Sequence, residues 1–124
     1  SAEDYLKFTS LFGEKGFWRG DRILSEEVVK KQTSNLLRSL GLKKLLESQF
    51  GNAASMMAFG GGLGIKRDSV SSDKVDYYFW GGSCNTSFWI DPIDGSSGIF
   101  LTSHCPGQYN VNEELEQIVD DARL

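Results

Sequence analysis

Between Val75 and Thr102 the chain alternates between two kinds of composition, and that alternation limits the fold more than any other feature. Three short runs are rich in aromatic and β-branched residues: Val75 to Trp80, Thr86 to Ile90 and Ile99 to Thr102. Two small-residue clusters, Gly81 to Asn85 and Asp94 to Gly98, separate them. Runs of this length joined by Gly, Asn, Asp and Ser predict an antiparallel meander of three strands. Pro92 stands where the middle strand should stop, because it offers no amide hydrogen to a ladder. Alternation within the runs is weak: Val75, Tyr77 and Phe79 fall on one face, Tyr78 and Trp80 on the other. A sheet with one wet face alternates cleanly, so both faces are expected to be covered.

Helices are expected on either side of the meander. Ser1 can cap a first helix reaching Phe12, with Asp4 at capping-box spacing and Tyr5, Phe8, Leu11 and Phe12 on one stripe. Gly13 and Gly16 end it. A turn and a short extended piece follow over Trp18 to Leu24, and Ser25 caps a second helix whose first turn carries Glu26 and Glu27. Leu36 to Met57 reads as two short amphipathic helices closing a core, with Leu42, Leu45 and Leu46 as a stripe and Gly41 and Gly51 as punctuation; a lid is the alternative. Phe59 to Ile65 reads as a glycine-rich strand, and Lys66 to Lys74 as a polar hairpin tip. It is not a nucleotide loop, because Ile65 stands where the last glycine of Gly-x-Gly-x-x-Gly must be. A last helix is capped by Asn110, with Glu113 three residues on and an apolar face of Val111, Leu115, Ile118, Val119 and Ala122.

These elements make an α+β fold: an antiparallel sheet, the meander plus a preceding Gly-rich strand, flanked by N-terminal and C-terminal helices. A chain of 124 residues suits a single domain, residues 1–124. Apolar residues at 40% and aromatics at 12% support a packed interior. A net charge of −4 gives no basis for nucleic acid or an anionic membrane as partner. No apolar run spans a bilayer. The chain opens on Ser1-Ala2-Glu3-Asp4, which suggests a fragment of something longer, and nothing marks its compartment.

The order of the pieces resembles the C-terminal part of the β-lactamase-like serine hydrolases, the class C and penicillin-binding-protein-like enzymes, and especially their esterase and peptidase branch. The matching residues are Ser1-Ala2-Glu3-Asp4, Leu24-Ser25-Glu26-Glu27, Gly60-Gly61-Gly62-Leu63-Gly64, Trp80-Gly81-Gly82-Ser83, Thr86 to Pro92 and Gly98 to Thr102. The resemblance covers most of the chain except 36–57, and no piece is specific by itself. It implies a partial β-lactamase/transpeptidase-like fold with the last helix lying on the sheet. It also implies that Trp80, Gly81 and Gly82 are the third motif lying along the substrate. The backbone amide of Ser83 would then be half of an oxyanion hole. Trp80 in place of Lys or His removes the charge that holds a β-lactam carboxylate, which points to esters, amides or peptides.

The nucleophile is expected outside the chain. The string Ser71-Ser72-Asp73-Lys74 has the Ser-x-x-Lys form, but it falls in the hairpin tip rather than on a helix, and reads as a chance match. Gly95-Ser96-Ser97-Gly98 is too short for a nucleophile elbow and reads as a turn. His104 is the only histidine, so neither a histidine metal cluster nor a Ser-His-Asp triad has material, and no metal or cofactor is expected. Cys84 and Cys105 fall at the same end of the meander and could approach; free thiols are expected, since nothing establishes an oxidising compartment. Asn85-Thr86-Ser87 has the N-glycosylation pattern, but a tight turn beside a site is a poor place for a glycan.

The functional expectation is therefore the C-terminal portion of a serine hydrolase, inactive alone. Its partner would be the remainder of its own polypeptide or a complementary N-terminal chain. Its substrate would be a small ester, amide or peptide. Apolar surface left bare by the missing part would favour self-association. The alternative is a non-catalytic binding module on the same scaffold.

Overall fold

The computed structural model describes residues 1–39, 43–106 and 111–122. It is an α+β fold built on a five-stranded antiparallel sheet in the order β3-β4-β5-β6-β7. The strands are β3 (Met57–Phe59), β4 (Gly64–Arg67), β5 (Val75–Gly82), β6 (Thr86–Ile90) and β7 (Ser97–Phe100). The last three form the expected meander, with β6 paired on both sides.

Helix α1 (Ala2–Gly13) begins where the capping pattern places it: the Ser1 hydroxyl accepts from the Asp4 N–H at 3.2 Å. Lys7 bonds the Asp4 carboxylate at 3.0 Å, and this bond, with the Ser1 hydroxyl's, holds the Asp4 pKa below its usual value. The aromatic stripe of α1 lies on β6, with the Tyr5 ring 5.2 Å from Phe88 and the Phe8 ring 6.5 Å from it. Further along, Thr9 is fully buried and its hydroxyl pairs with that of Ser97 on β7 at 3.0 Å. The end of α1 meets the β6–β7 turn backbone to backbone. A Cβ on Gly95, which has φ +78, would stand 3.0 Å from the Gly13 carbonyl oxygen. Only residues without side chains allow that crossing.

After α1 comes a two-stranded ribbon, β1 (Phe17–Trp18) and β2 (Asp21–Arg22), where one extended piece was expected. Its two-residue turn, Arg19 at φ 51 and Gly20 at φ 90, has the positive dihedrals that such hairpins need. Ser25 caps α2 (Glu26–Gln32) by accepting from the Val28 N–H at 3.2 Å. Phe12, Val29, Leu63, Phe88 and Ile90 form the core, with Leu24, Tyr78, Trp80 and Ile99 packed against it. Register explains the membership. Tyr78 pairs with Ile90, Trp80 with Phe88 and Phe88 with Ile99, so these side chains share the face turned to α1.

Four expectations need correction. The glycine run from Phe59 to Ile65 is a hairpin and not one strand: β3 stops at Phe59, β4 starts at Gly64, and the Gly60 N–H donates to the Leu63 carbonyl at 2.9 Å. The run is pressed onto the end of α2, where the Gly61 N–H donates to the Gln32 carbonyl at 2.8 Å. Next, β5 continues through Gly81 and Gly82, which pair with Ser87 and Thr86, because β6 still offers partners there. β7 likewise spans Ser97–Phe100 instead of Ile99 to Thr102. Third, complete cover on both faces holds for β6 from Ser87 to Ile90, whereas Tyr77 and Phe79 on β5 are half-buried. Fourth, α5 (Val111–Ala122) forms, but no described strand packs along it, and Ile118 on its apolar face is 63% exposed. Its expected cap, Asn110, lies outside the described residues, as do Gly41 and Leu42.

Segment 36–57 contains α3 (Leu36–Ser39), α4 (Lys43–Phe50) and a 3-10 helix over Gly51–Met56. Both α-helices pack against β3, the strand at one edge of the sheet. Leu45, one of the expected stripe residues, is 55% exposed. No described helix is long and apolar enough to cross a membrane.

Trp89 supplies a direct test of this packing. Its ring lies across Gly98 on the neighbouring strand, and a Cβ on Gly98 would fall inside the ring. Gly98→Ala should therefore destabilise the fold by about 1–3 kcal/mol, the usual cost of overpacking, measured as a lowered urea midpoint at unchanged slope.

Candidate functional site

The residues expected to carry chemistry gather at one end of the meander. A groove of about 200 Å³ is lined by Trp80, Gly81, Gly82, Thr86, Phe88 and Leu101, with Ser87 and Tyr5 completing it. Three elements build it. β5 supplies the tryptophan and a ledge of two exposed glycines; β6 supplies Thr86 to Phe88; α1 supplies Tyr5. Leu101, just past β7, closes the far side and is 51% exposed.

The ledge ends in a three-residue loop, Ser83-Cys84-Asn85. The Asn85 N–H donates to the Gly82 carbonyl at 3.1 Å, and Asn85 has φ 59. That is the hairpin form in which a type I turn is followed by one left-handed residue, a position that Asn tolerates. Ser83 holds the first inner position of the turn, outside any helix and exposed. Among the described residues its N–H donates to no protein acceptor. Ser83 stands immediately beyond the groove lining.

Glycine at position 82 is a matter of space. A Cβ there would lie 2.6 Å from Thr86 Oγ1, so a side chain would displace that hydroxyl or fill the groove. Among the described residues, no charged side chain lines the groove. Of the described lining residues Tyr5 is the one ionisable group, and burial pushes its phenol above the ordinary value, which keeps it a neutral hydroxyl at physiological pH.

The Ser71 to Lys74 string lies in the loop between β4 and β5. There the Lys74 N–H donates to Ser72 Oγ at 3.0 Å, with no helical turn to set Lys74 beside Ser71. Six residues of β5, Val75 to Trp80, separate it from the ledge, roughly 23 Å at strand rise. It is not part of the groove. Ser97 and Gly98 belong to β7, and the preceding turn is held by Asp91, whose carboxylate accepts from the Ile93 N–H at 2.6 Å. Among the described residues, no group of three or more His, Cys, Asp or Glu side chains could hold a metal ion.

Cys84 and Cys105 form a disulfide, with Cα atoms 4.3 Å apart. This corrects the expectation of free thiols. Both cysteines do lie at the same end of the sheet, and the β5–β6 turn brings one directly onto the segment that carries the other. Sequence reasoning also missed Tyr5 and Leu101 as groove walls. Tyr5 was counted with the core stripe of α1, yet it is 41% exposed while Phe12, two turns on, is buried. Its place at the far end of the stripe was the available signal.

The chain matches no family model and no curated protein.

Two measurements follow from this geometry. The disulfide closes a loop with a sequence separation of 21, so Cys84→Ser with Cys105→Ser should lower stability by roughly 3 kcal/mol in a urea titration of the non-reduced chain. In an alkaline absorbance titration, Tyr5→Phe should remove a phenol that ionises later than a free one. A phenol whose folded pKa is raised favours the folded state less as pH rises past its unfolded value near 10, so stability should fall on that side, and less so in Tyr5→Phe.

Proposed function

We propose that this chain is the C-terminal portion of a β-lactamase-related serine hydrolase of the esterase, amidase or peptidase type. It contributes the substrate-side strand and one of two oxyanion donors. The nucleophilic serine and its base come from the remainder of the polypeptide or from a complementary chain. The observation that carries the reading is the Ser83 N–H. It is unpartnered among the described residues and belongs to an exposed residue at the end of a side-chain-free ledge beside a groove.

The chemistry is acyl transfer. A serine hydroxyl attacks the carbonyl carbon of the substrate, its proton passes to a base, and the carbonyl oxygen takes up the negative charge. A donor aimed at that oxygen is worth most when it needs no reorganisation as the charge develops. A backbone amide fixed in a tight turn meets that condition. Gly81 and Gly82 leave the approach open, and Trp80, Phe88 and Leu101 offer an apolar wall to the acyl or leaving group. The described lining carries no charge, which suits a neutral substrate and offers a carboxylate no counter-ion there.

A second reading, a non-catalytic binding module on the same scaffold, is favoured by the Ser71 to Lys74 loop. The one Ser-x-x-Lys string of the chain is not on a helix and is far from the groove.

A fluorophosphonate probe separates the two. The chain alone should neither react with it nor hydrolyse 4-nitrophenyl butyrate, whereas the intact polypeptide should be labelled on a serine outside residues 1–124. Ser83→Pro removes the amide at a turn position that accepts proline, and should lower kcat of the intact protein by about 10²–10³ with the fold retained. An intact protein that is folded and never labelled supports the binding module. Hydrolysis by the isolated chain that is lost in Ser71→Ala would overturn both the placement of the nucleophile and the reading of the loop.

A further inference from the structure

The two walls of the groove belong to segments joined by one covalent bond. Cys84 sits in the turn directly after Ser83, at the end of the glycine ledge. Cys105 ends the segment that begins with Leu101, the opposite wall. That segment has left the sheet: pairing with β6 stops at Ser87 opposite Phe100, and residues 101–104 have no regular structure. Within it, the His104 N–H donates to Thr102 Oγ1 at 3.1 Å, a bond internal to the segment. Three residues separate Leu101 from Cys105, and the four steps between them reach at most about 14 Å when extended. The disulfide therefore limits how far the Leu101 wall can move from the ledge.

We infer that the Cys84–Cys105 disulfide is the positioning element of this site: it fixes the aim of the Ser83 amide and the width of the groove together. Both depend on the oxidation state of a single bond. A dithiol reductant breaks the sulfur–sulfur bond, gives two electrons and two protons to leave Cys84 and Cys105 as thiols, and is itself oxidised to a disulfide. No other sulfur pair competes, because these are the only cysteines. Once the bond is open, the turn retains its Asn85–Gly82 hydrogen bond, but the 101–105 segment is released from it. The strands of the meander and α1 carry neither cysteine and keep their core. The catalytic meaning of the clamp rests on the hydrolase reading; the clamp itself does not, and it can be tested without nucleophile or substrate.

The test is a pair of amide ¹H–¹⁵N spectra of the labelled chain, before and after dithiothreitol, with Cys84→Ser/Cys105→Ser as a permanently open form. The expected result is local. The Ser83 amide cross-peak shifts, amides 101–105 exchange faster with solvent, and amides of β4 and α1 keep their positions. Reoxidation restores the Ser83 peak, and the double variant matches the reduced chain. Two results would overturn the proposal. If the Ser83 peak is unmoved on reduction, the turn is set by its own backbone. If peaks throughout the sheet collapse together, the bond is a staple of the whole fold with no special hold on the site. Neither result bears on fluorophosphonate labelling of the intact protein, so the two readings can fail separately.

Discussion

Phe88 and Ile90 enter the core from β6, and the rest of the molecule depends on that strand being paired on both sides. Through the β5 register it places Trp80 and Tyr78 beside them, and through β7 it places Ile99. The shared face is then closed by α1, whose aromatic stripe meets Phe88 while Thr9 bonds Ser97. Ile90 is fully buried, and a buried aliphatic of that size contributes about 1.5–3 kcal/mol relative to an exposed one. The groove is a by-product of the same arrangement. Beyond Phe88 the core side chains stop, β5 continues with glycines, and the space they leave lies between Tyr5 and Leu101.

The site thus takes its rigidity from the sheet and its openness from missing side chains. A strand that ends in glycine is entropically weak by itself. Here Gly81 and Gly82 are held by ladder pairing with Ser87 and Thr86, and the turn beyond them is closed by a backbone bond and a disulfide. Those constraints hold Ser83 in an exposed turn, and among the described residues its amide has no protein acceptor, which is the property a preorganised donor needs.

Much of this was legible in the residues. The three β runs, the Pro92 stop, the caps at Ser1 and Ser25, and the non-helical place of Ser71 to Lys74 all follow from local chemistry that tertiary contacts do not override. The hairpin at Phe59 to Ile65 was not legible, because glycines have no side-chain period and the turn is fixed by the Gln32 carbonyl of a distant helix. Nor could composition tell that Gly81 and Gly82 remain in the ladder, since the partner strand decides where pairing ends. The cysteine pair was placed at the right end of the sheet, but bonding depends on a separation that only the turn geometry sets. The docking of α5 on the sheet was implied by the family resemblance, and no described strand packs along that helix; its apolar stripe shows that a helix wants cover and not which surface gives it.

The most direct test of the central claim is a crystal structure of the intact polypeptide phosphonylated by a fluorophosphonate. The account predicts an adduct on a serine outside this chain, with a phosphonyl oxygen about 2.7–3.1 Å from the Ser83 nitrogen and the substituent lying over Gly81 and Gly82. An adduct whose oxygen is bound elsewhere, with the Ser83 amide left facing solvent, would contradict it.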